Sequence, residues 1–175
     1  MFGLDFVMYE QDYDQIQQVL QRLKDGANAQ MVFLIDRNGS LVAYHGDTEH
    51  IDTTSFASLA AGNVAATESL GRLIGEKEFN VLYHEGIQHN IHMSLISNRV
   101  ILVVIFSNKS ALGLVRLRVK QATAELEKIF SGIMQKLEHD REMIGAAFNQ
   151  FAEITDEDID ALFNGPGGDE EIGSR

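Results

Sequence analysis

The sequence predicts an α+β domain in the order helix, hairpin, helix, three antiparallel strands, helix. Three observations predict it. Helical apolar periodicity appears near both ends of the chain and again in its middle, Asn38-Gly39 separates two short apolar runs, and Val100 to Phe106 is an unbroken apolar stretch of strand length. A chain of 175 residues with 45% hydrophobic content and 8% aromatics suits one domain with a real core.

The first helix is marked by Tyr13, Ile16, Val19, Leu20, Leu23 and Ala27, with Gln and charged residues opposite and a stop near Gly26. Met31 to Ile35 follows as a strand. Asp36-Arg37-Asn38-Gly39 then signals a two-residue hairpin turn, and Leu41 to Tyr44 is the returning strand.

The segment from Asp52 to Gly75 organises the rest. Asp52 fits an N-cap, Ile51 and Phe56 fit a hydrophobic staple, and Gly75 fits the C-terminal stop. Leu70, Leu73 and Ile74 read as the side that meets the sheet. Ala57, Ala61, Ala65 and Ser69 recur every four residues with Ser58, Gly62 and Ala66 beside them, leaving a stripe with almost no side-chain bulk. Such a stripe serves either close packing of the helix on its own sheet or close docking of another chain. With Leu70, Leu73 and Ile74 assigned to the sheet, the small residues are left for another chain.

Phe79 to Glu85 and Ile91 to Ile96 read as strands joined by Gly86 to Asn90. After a tight Ser97-Asn98 turn, Arg99 to Phe106 reads as a central strand buried on both faces. Val115, Val119, Ala122, Leu126, Ile129, Phe130, Ile133 and Leu137 form the stripe of a last helix laid on the sheet. Its basic group, Arg116, Arg118 and Lys120, reads as a solvated face. His139 to Asn149 follows no pattern. Thr155 then fits an N-cap with Asp158 three residues on, and Ile154, Ile159, Leu162 and Phe163 form the apolar edge of a short acidic helix at about 155–163. That helix is marginal alone, so it docks either on its own domain or in a partner's groove. The remaining GPGGDEEIGSR reads as a disordered tail.

Composition narrows the function. Asp and Glu outnumber Lys and Arg 26 to 14, a formal net charge of -12, which disfavours nucleic acid and anionic membrane and favours a partner with a basic patch. There is no cysteine, hence no disulfide or thiolate chemistry, which suits a reducing cytoplasm. The N-terminus lacks the basic region and cleavage pattern of a signal peptide, and no apolar run is long enough to span a bilayer. A soluble intracellular protein is expected. Neither G-x-x-x-x-G-K-[ST] nor H-E-x-x-H occurs, so no P-loop nucleotide site is expected. His84, His89 and His92 lie in or beside one hairpin but match no established ligand spacing, and Glu76, Glu78 and Glu85 read as surface charge. No catalytic residue, metal site or cofactor is assigned.

The stretches MVFLIDRNGSLVA, IDTTSFASLAAGNVAATESLGRLIGEKEF, LYHEGIQ and RVILVVIFSNKSALGLVRLRVKQATAEL, together with the final ITDEDIDALF, resemble the Roadblock/LC7 family, in particular its bacterial members that regulate a Ras-like GTPase. AGNVAAT and LGLVRLR are the more specific of these motifs; His139 to Asn149 and the tail have no counterpart. The resemblance covers nearly the whole chain. It implies a profilin-like α-β-β-α-β-β-β-α fold, a central five-stranded antiparallel sheet with helices on both faces, in a domain of residues 1–138. Residues 139–175 would then be a flexible C-terminal segment.

The resemblance further implies a homodimer whose sheets join edge to edge, with the small-residue helices of both protomers meeting on one face. One Ras-like small GTPase of the MglA type would bind there per dimer. The protein would be an activator that is not itself catalytic, supplying no arginine finger and helping the GTPase's own residues into place. Ala61, Ala65 and Ser69 are expected to face the GTPase, with Ala57, Gly62 and Arg72 on the rim. The C-terminal helix is implied to reach a second surface of the GTPase and affect nucleotide exchange, and the resemblance implies a cytoplasmic protein clustered at a cell pole. Two rival readings are a non-catalytic Roadblock scaffold in a signalling or motor complex and an enzyme using the histidine hairpin.

Overall fold

The computed structural model describes residues 9–152, with side chains described to residue 146. The chain divides into two compact units, Met1–Met134 and Gln135–Arg175. The elements are α1 (Glu10–Gly26), β1 (Met31–Asp36), β2 (Leu41–Gly46), α2 (Thr53–Ile74), β3 (Val81–His84), β4 (His89–Ile96), β5 (Val100–Ser107) and α3 (Leu112–Ala152). The order is the expected one. The five strands form one antiparallel sheet in the order β2-β1-β5-β4-β3.

Strand β5 lies at the centre of that sheet, and every residue from Val100 to Phe106 is buried. This is why its run is apolar without alternation: both faces are covered. Odd-numbered strand residues Phe33, Ile35, Met93, Ile101, Val103 and Ile105 form one core with Ala57, Ala60, Ala61 and Val64 of α2. Strand alternation turns the even-numbered residues to the other face, where α1 contributes Ile16, Val19, Leu20 and Leu23 and α3 contributes Val115, Val119, Ala122 and Leu126. Arg22 of α1 pairs with Glu125 of α3 and Arg118 of α3 lies against Gly26 of α1, so the two helices run antiparallel beside each other.

Two details differ from the sequence reading. The β1–β2 loop is not a two-residue turn. Asp36 N–H donates to the Ser40 carbonyl and Gly39 N–H donates to the Asp36 carbonyl, both at 2.8 Å, and Gly39 has φ +89°. Gly39, not Asn38, takes the left-handed conformation, giving a three-residue loop in which the glycine absorbs the extra residue. His139 to Asn149, which follows no pattern in the sequence, continues α3, whose helix runs to Ala152. Residues 138–146 are exposed, so no apolar stripe marks them; the helix rests on the propensity of Glu, Arg, Met, Ala and Gln without an intervening proline. Among the described residues, no helix is long and apolar enough to cross a membrane.

Candidate functional site

Helix α2 is fixed at both ends by the caps the sequence predicts. Asp52 Oδ1 accepts from Thr54 and Ser55 N–H at 3.1 Å each, and Ser55 Oγ donates to Asp52 Oδ2 at 2.5 Å. These bonds hold the Asp52 carboxyl below its usual pKa, the Ser55 hydroxyl contributing most. Gly75 ends the helix with φ +79°, and Glu76 N–H donates to the Gly71 carbonyl at 2.9 Å. Midway, Glu68 pairs with Arg37 of the β1–β2 loop, whose guanidinium also donates to Asn98 of the β4–β5 turn. Sequence reasoning missed this clamp, because nothing local marks three residues that far apart as partners.

Five side chains of α2 lie opposite to the sequence expectation. Ala57 is fully buried and Ala61 is 7% exposed, both packed on the sheet, so neither is available to a partner. Leu70, Leu73 and Ile74, expected against the sheet, are 62%, 84% and 75% exposed. The physical reason is volume. The sheet presents Phe33, Ile101, Val103 and Ile105, and alanines on the helix let its backbone come close enough to fill the space between them. The approach is close on the hairpin side as well: a Cβ added to Gly39 would lie 3.0 Å from Ser58 Cα.

The other four residues expected at the interface, Gly62, Ala65, Ser69 and Arg72, are exposed. Helical spacing puts them along one flank of α2. Ser69 Oγ donates to the Ala65 carbonyl at 2.9 Å and accepts from Arg72 Nη2 at 2.9 Å. A Cβ added to Gly62 would meet no atom within 4 Å, so this flank is open. Next to it, Leu59, Leu70, Leu73 and Ile74 recur at i, i+11, i+14 and i+15, an apolar stripe directed away from the core. The same face of the sheet is thinly covered toward β3, where Leu82, Ile91 and Leu95 are only partly buried.

The histidines do not converge. His92 pairs across the sheet with Tyr83 and His84 with Ile91, so strand alternation turns His92 and His84 to opposite faces, while His89 Nδ1 lies 2.8 Å from Gln30 Oε1. Among the described residues, no group of three or more His, Asp or Glu is arranged to hold a metal ion. His92 is 2% exposed under α3, and burial first and the Arg116 charge second push its pKa down. Arg116, Arg118 and Lys120 are exposed, with Arg118 donating to Gln121 at 3.1 Å. Ile154, Ile159, Leu162 and Phe163 lie outside the described residues.

The Roadblock/LC7 domain model matches residues 15–106. A search of curated proteins found no match. Among solved structures, the chain is similar to MglB of Myxococcus xanthus, with 53% identity over 73% of this chain and 96% of that one and a TM-score of 0.69. It is also similar to the gliding protein MglB of Thermus thermophilus, with 29% identity over 73% and 97% of the two chains and a TM-score of 0.67. An MglB described as having a tetrameric arrangement matches with 27% identity over 75% and 99% and a TM-score of 0.70.

Proposed function

Because the chain belongs to the Roadblock/LC7 family, we propose that it is a homodimeric regulator of a Ras-like small GTPase of the MglA type, stimulating GTP hydrolysis by the partner in bacterial cell polarity and gliding motility. The observation that carries this reading is the outer surface of α2, where an open flank of Gly62, Ala65, Ser69 and Arg72 runs beside the exposed stripe of Leu59, Leu70, Leu73 and Ile74. The two surfaces divide the work. The apolar stripe, the thinly covered Leu82, Ile91 and Leu95, and the open edge of β3 suit a second copy, whose own edge strand and α2 would extend the sheet and cover that face. The low-bulk flank would then meet the GTPase, one per dimer, along the paired helices.

Catalysis belongs to the partner in this reading. No P-loop sequence is present to cradle a nucleotide, and the dimer acts by holding the GTPase's own residues in position. The C-terminal motif of Ile154, Ile159, Leu162 and Phe163 is proposed to engage a second surface of the GTPase and affect nucleotide exchange. Truncation after Gln150 would then impair that contact alone. Cytoplasmic location and clustering at a pole follow from the same reading.

The deciding experiment is single-turnover GTP hydrolysis by the cognate GTPase at saturating concentrations of this protein. A raised rate supports the activator reading. An unchanged rate with retained binding would leave a scaffold role and end the activator one.

A further inference from the structure

A second concave feature lies away from the α2 surface. The β4–β5 turn and α3 enclose a pocket of about 330 Å³, with the buried side chains of Ile96, Val100 and Phe130 and the half-buried Met134 as its apolar walls. Arg99 stands at its rim with Ser97 and Ser131, all three exposed. The backbone of that rim is pinned. Ser97 and Asn98 both adopt positive φ, 49° and 56°, a conformation that costs a serine steric strain. Arg99 N–H donates to the Ile96 carbonyl at 3.0 Å, and the Arg99 carbonyl accepts from Arg37 N–H at 3.1 Å. The Arg37 guanidinium also donates to the Asn98 carbonyl at 3.3 Å. A strained turn held from several sides aims the residue that follows it, and such strain clusters where ligands are clamped.

The residue so aimed is poorly satisfied. Arg99 Nη1 donates to the Met134 thioether at 3.2 Å, a weak acceptor, and the guanidinium makes no ion pair with a described residue. A guanidinium carries five donors in a planar fork that matches a carboxylate in two parallel hydrogen bonds. One cation, in a chain of net charge -12, suits a singly charged group better than a phosphate dianion. The walls specify what the charge is attached to. Phe130 favours a second ring through edge-to-face or offset contact, and the Met134 sulfur favours an aromatic edge. A cavity of this volume is at the small end of ligand sites, enough for one ring and a short tail.

We propose that this pocket binds a small aromatic monocarboxylate, its ring among Val100, Phe130 and Met134 and its carboxylate on Arg99. The guanidinium exchanges a thioether for an anion, and the Ser97 and Ser131 hydroxyls are at hand on the rim for the remaining carboxylate lone pairs. The gain comes from Arg99, whose present acceptor is the weakest the side-chain repertoire offers a cation.

Phenylacetate is the probe, titrated into the full chain with isotope-labelled methionine methyl groups. Met134→Leu assigns the Met134 signal. That signal is expected to shift saturably with a half-point of about 1 mM or tighter, the other methionine methyls staying in place. Phenylacetamide, which keeps the ring and loses the charge, is expected to bind about tenfold more weakly, and Arg99→Gln is expected to weaken phenylacetate by about the same factor. Acetate, which lacks the ring, is expected to leave the Met134 signal where it is. Circular dichroism checks that the exposed Arg99→Gln substitution keeps the fold, and the amide comparison uses the unaltered chain. Absence of a saturable shift at Met134 would overturn the proposal. So would equal affinity for phenylacetate and phenylacetamide, which makes the pocket a merely apolar one. Tighter binding of phenyl phosphate, or an equal response to acetate, would overturn it as well, assigning the site to a phosphate or to any anion.

Discussion

Arg72 lies back along α2 and donates from Nη2 to the hydroxyl of Ser69, one turn earlier, at 2.9 Å. Its guanidinium is thus held against its own helix and not extended from it. An arginine finger works by reaching into the partner's transition state, and removing one costs about 10³-fold or more in turnover. Arg72→Ala is expected to lower stimulated hydrolysis by less than about tenfold, a loss of surface contact and no more. A drop of about 10³-fold in single-turnover assays would make Arg72 the finger.

Alanines four residues apart on α2 should respond in opposite ways. Ala65 is exposed on the open flank, whereas Ala61 is 7% exposed and packed on the sheet. Ala65→Arg is expected to block GTPase binding while leaving the melting temperature within a few degrees of wild type. Ala61→Arg would force a charge under the helix at a cost of about 3 kcal/mol or more and should abolish cooperative unfolding. Calorimetry and a binding assay on the two variants separate the faces directly; an Ala61→Arg protein that melts like wild type would refute the buried assignment.

The contrast explains what the sequence carries and what it does not. α1, β5 and the caps at Asp52 and Gly75 are legible because each is written locally, in a period, a run or a terminal residue. The orientation of α2 is not, because hydropathy ranks Leu73 above Ala57 for burial without knowing how much volume Phe33 and Ile105 already supply from the sheet. Small residues then read as an empty face when they are the tightest contact. Of the six α2 residues expected at the interface, Gly62, Ala65, Ser69 and Arg72 remain on the surface, and they do so because helical geometry separates them from the Ala57 and Ala61 side. The Arg37–Glu68 pair was out of reach for a different reason: it joins a loop to a helix across the fold.

The exposed stripe makes its own prediction. Leu73 and Ile74 are 84% and 75% exposed at the end of α2, and burying such side chains contributes roughly 1.5–3 kcal/mol each. If the stripe joins two copies, Leu73→Asp with Ile74→Asp should weaken self-association about a hundredfold or more, with little effect on the fold of one chain. Light scattering across a dilution series reads the mass. A variant that keeps the wild-type mass at every concentration would put the interface elsewhere.

His92 should make the fold sensitive to mild acid. It is 2% exposed on β4, opposite Tyr83 of β3 and facing Arg116 of α3, and its Nδ1 has no hydrogen-bond partner among the described residues. Burial and the Arg116 charge lower its pKa from the ordinary 6.5, so the folded chain holds it neutral. Well above pH 6.5 both folded and unfolded forms are neutral and this group contributes no pH dependence. As the pH falls through 6.5 the unfolded chain takes up a proton that the fold refuses, so stability drops until the pH passes the lowered folded pKa, and this group adds no further loss below it. His92→Leu removes the titration while keeping an apolar side chain under α3. Melting temperatures measured between about pH 7 and pH 5.5 should fall more steeply for the wild type than for the variant. Parallel curves would mean that His92 is already solvated or paired in the fold, and that the acid sensitivity belongs to other groups.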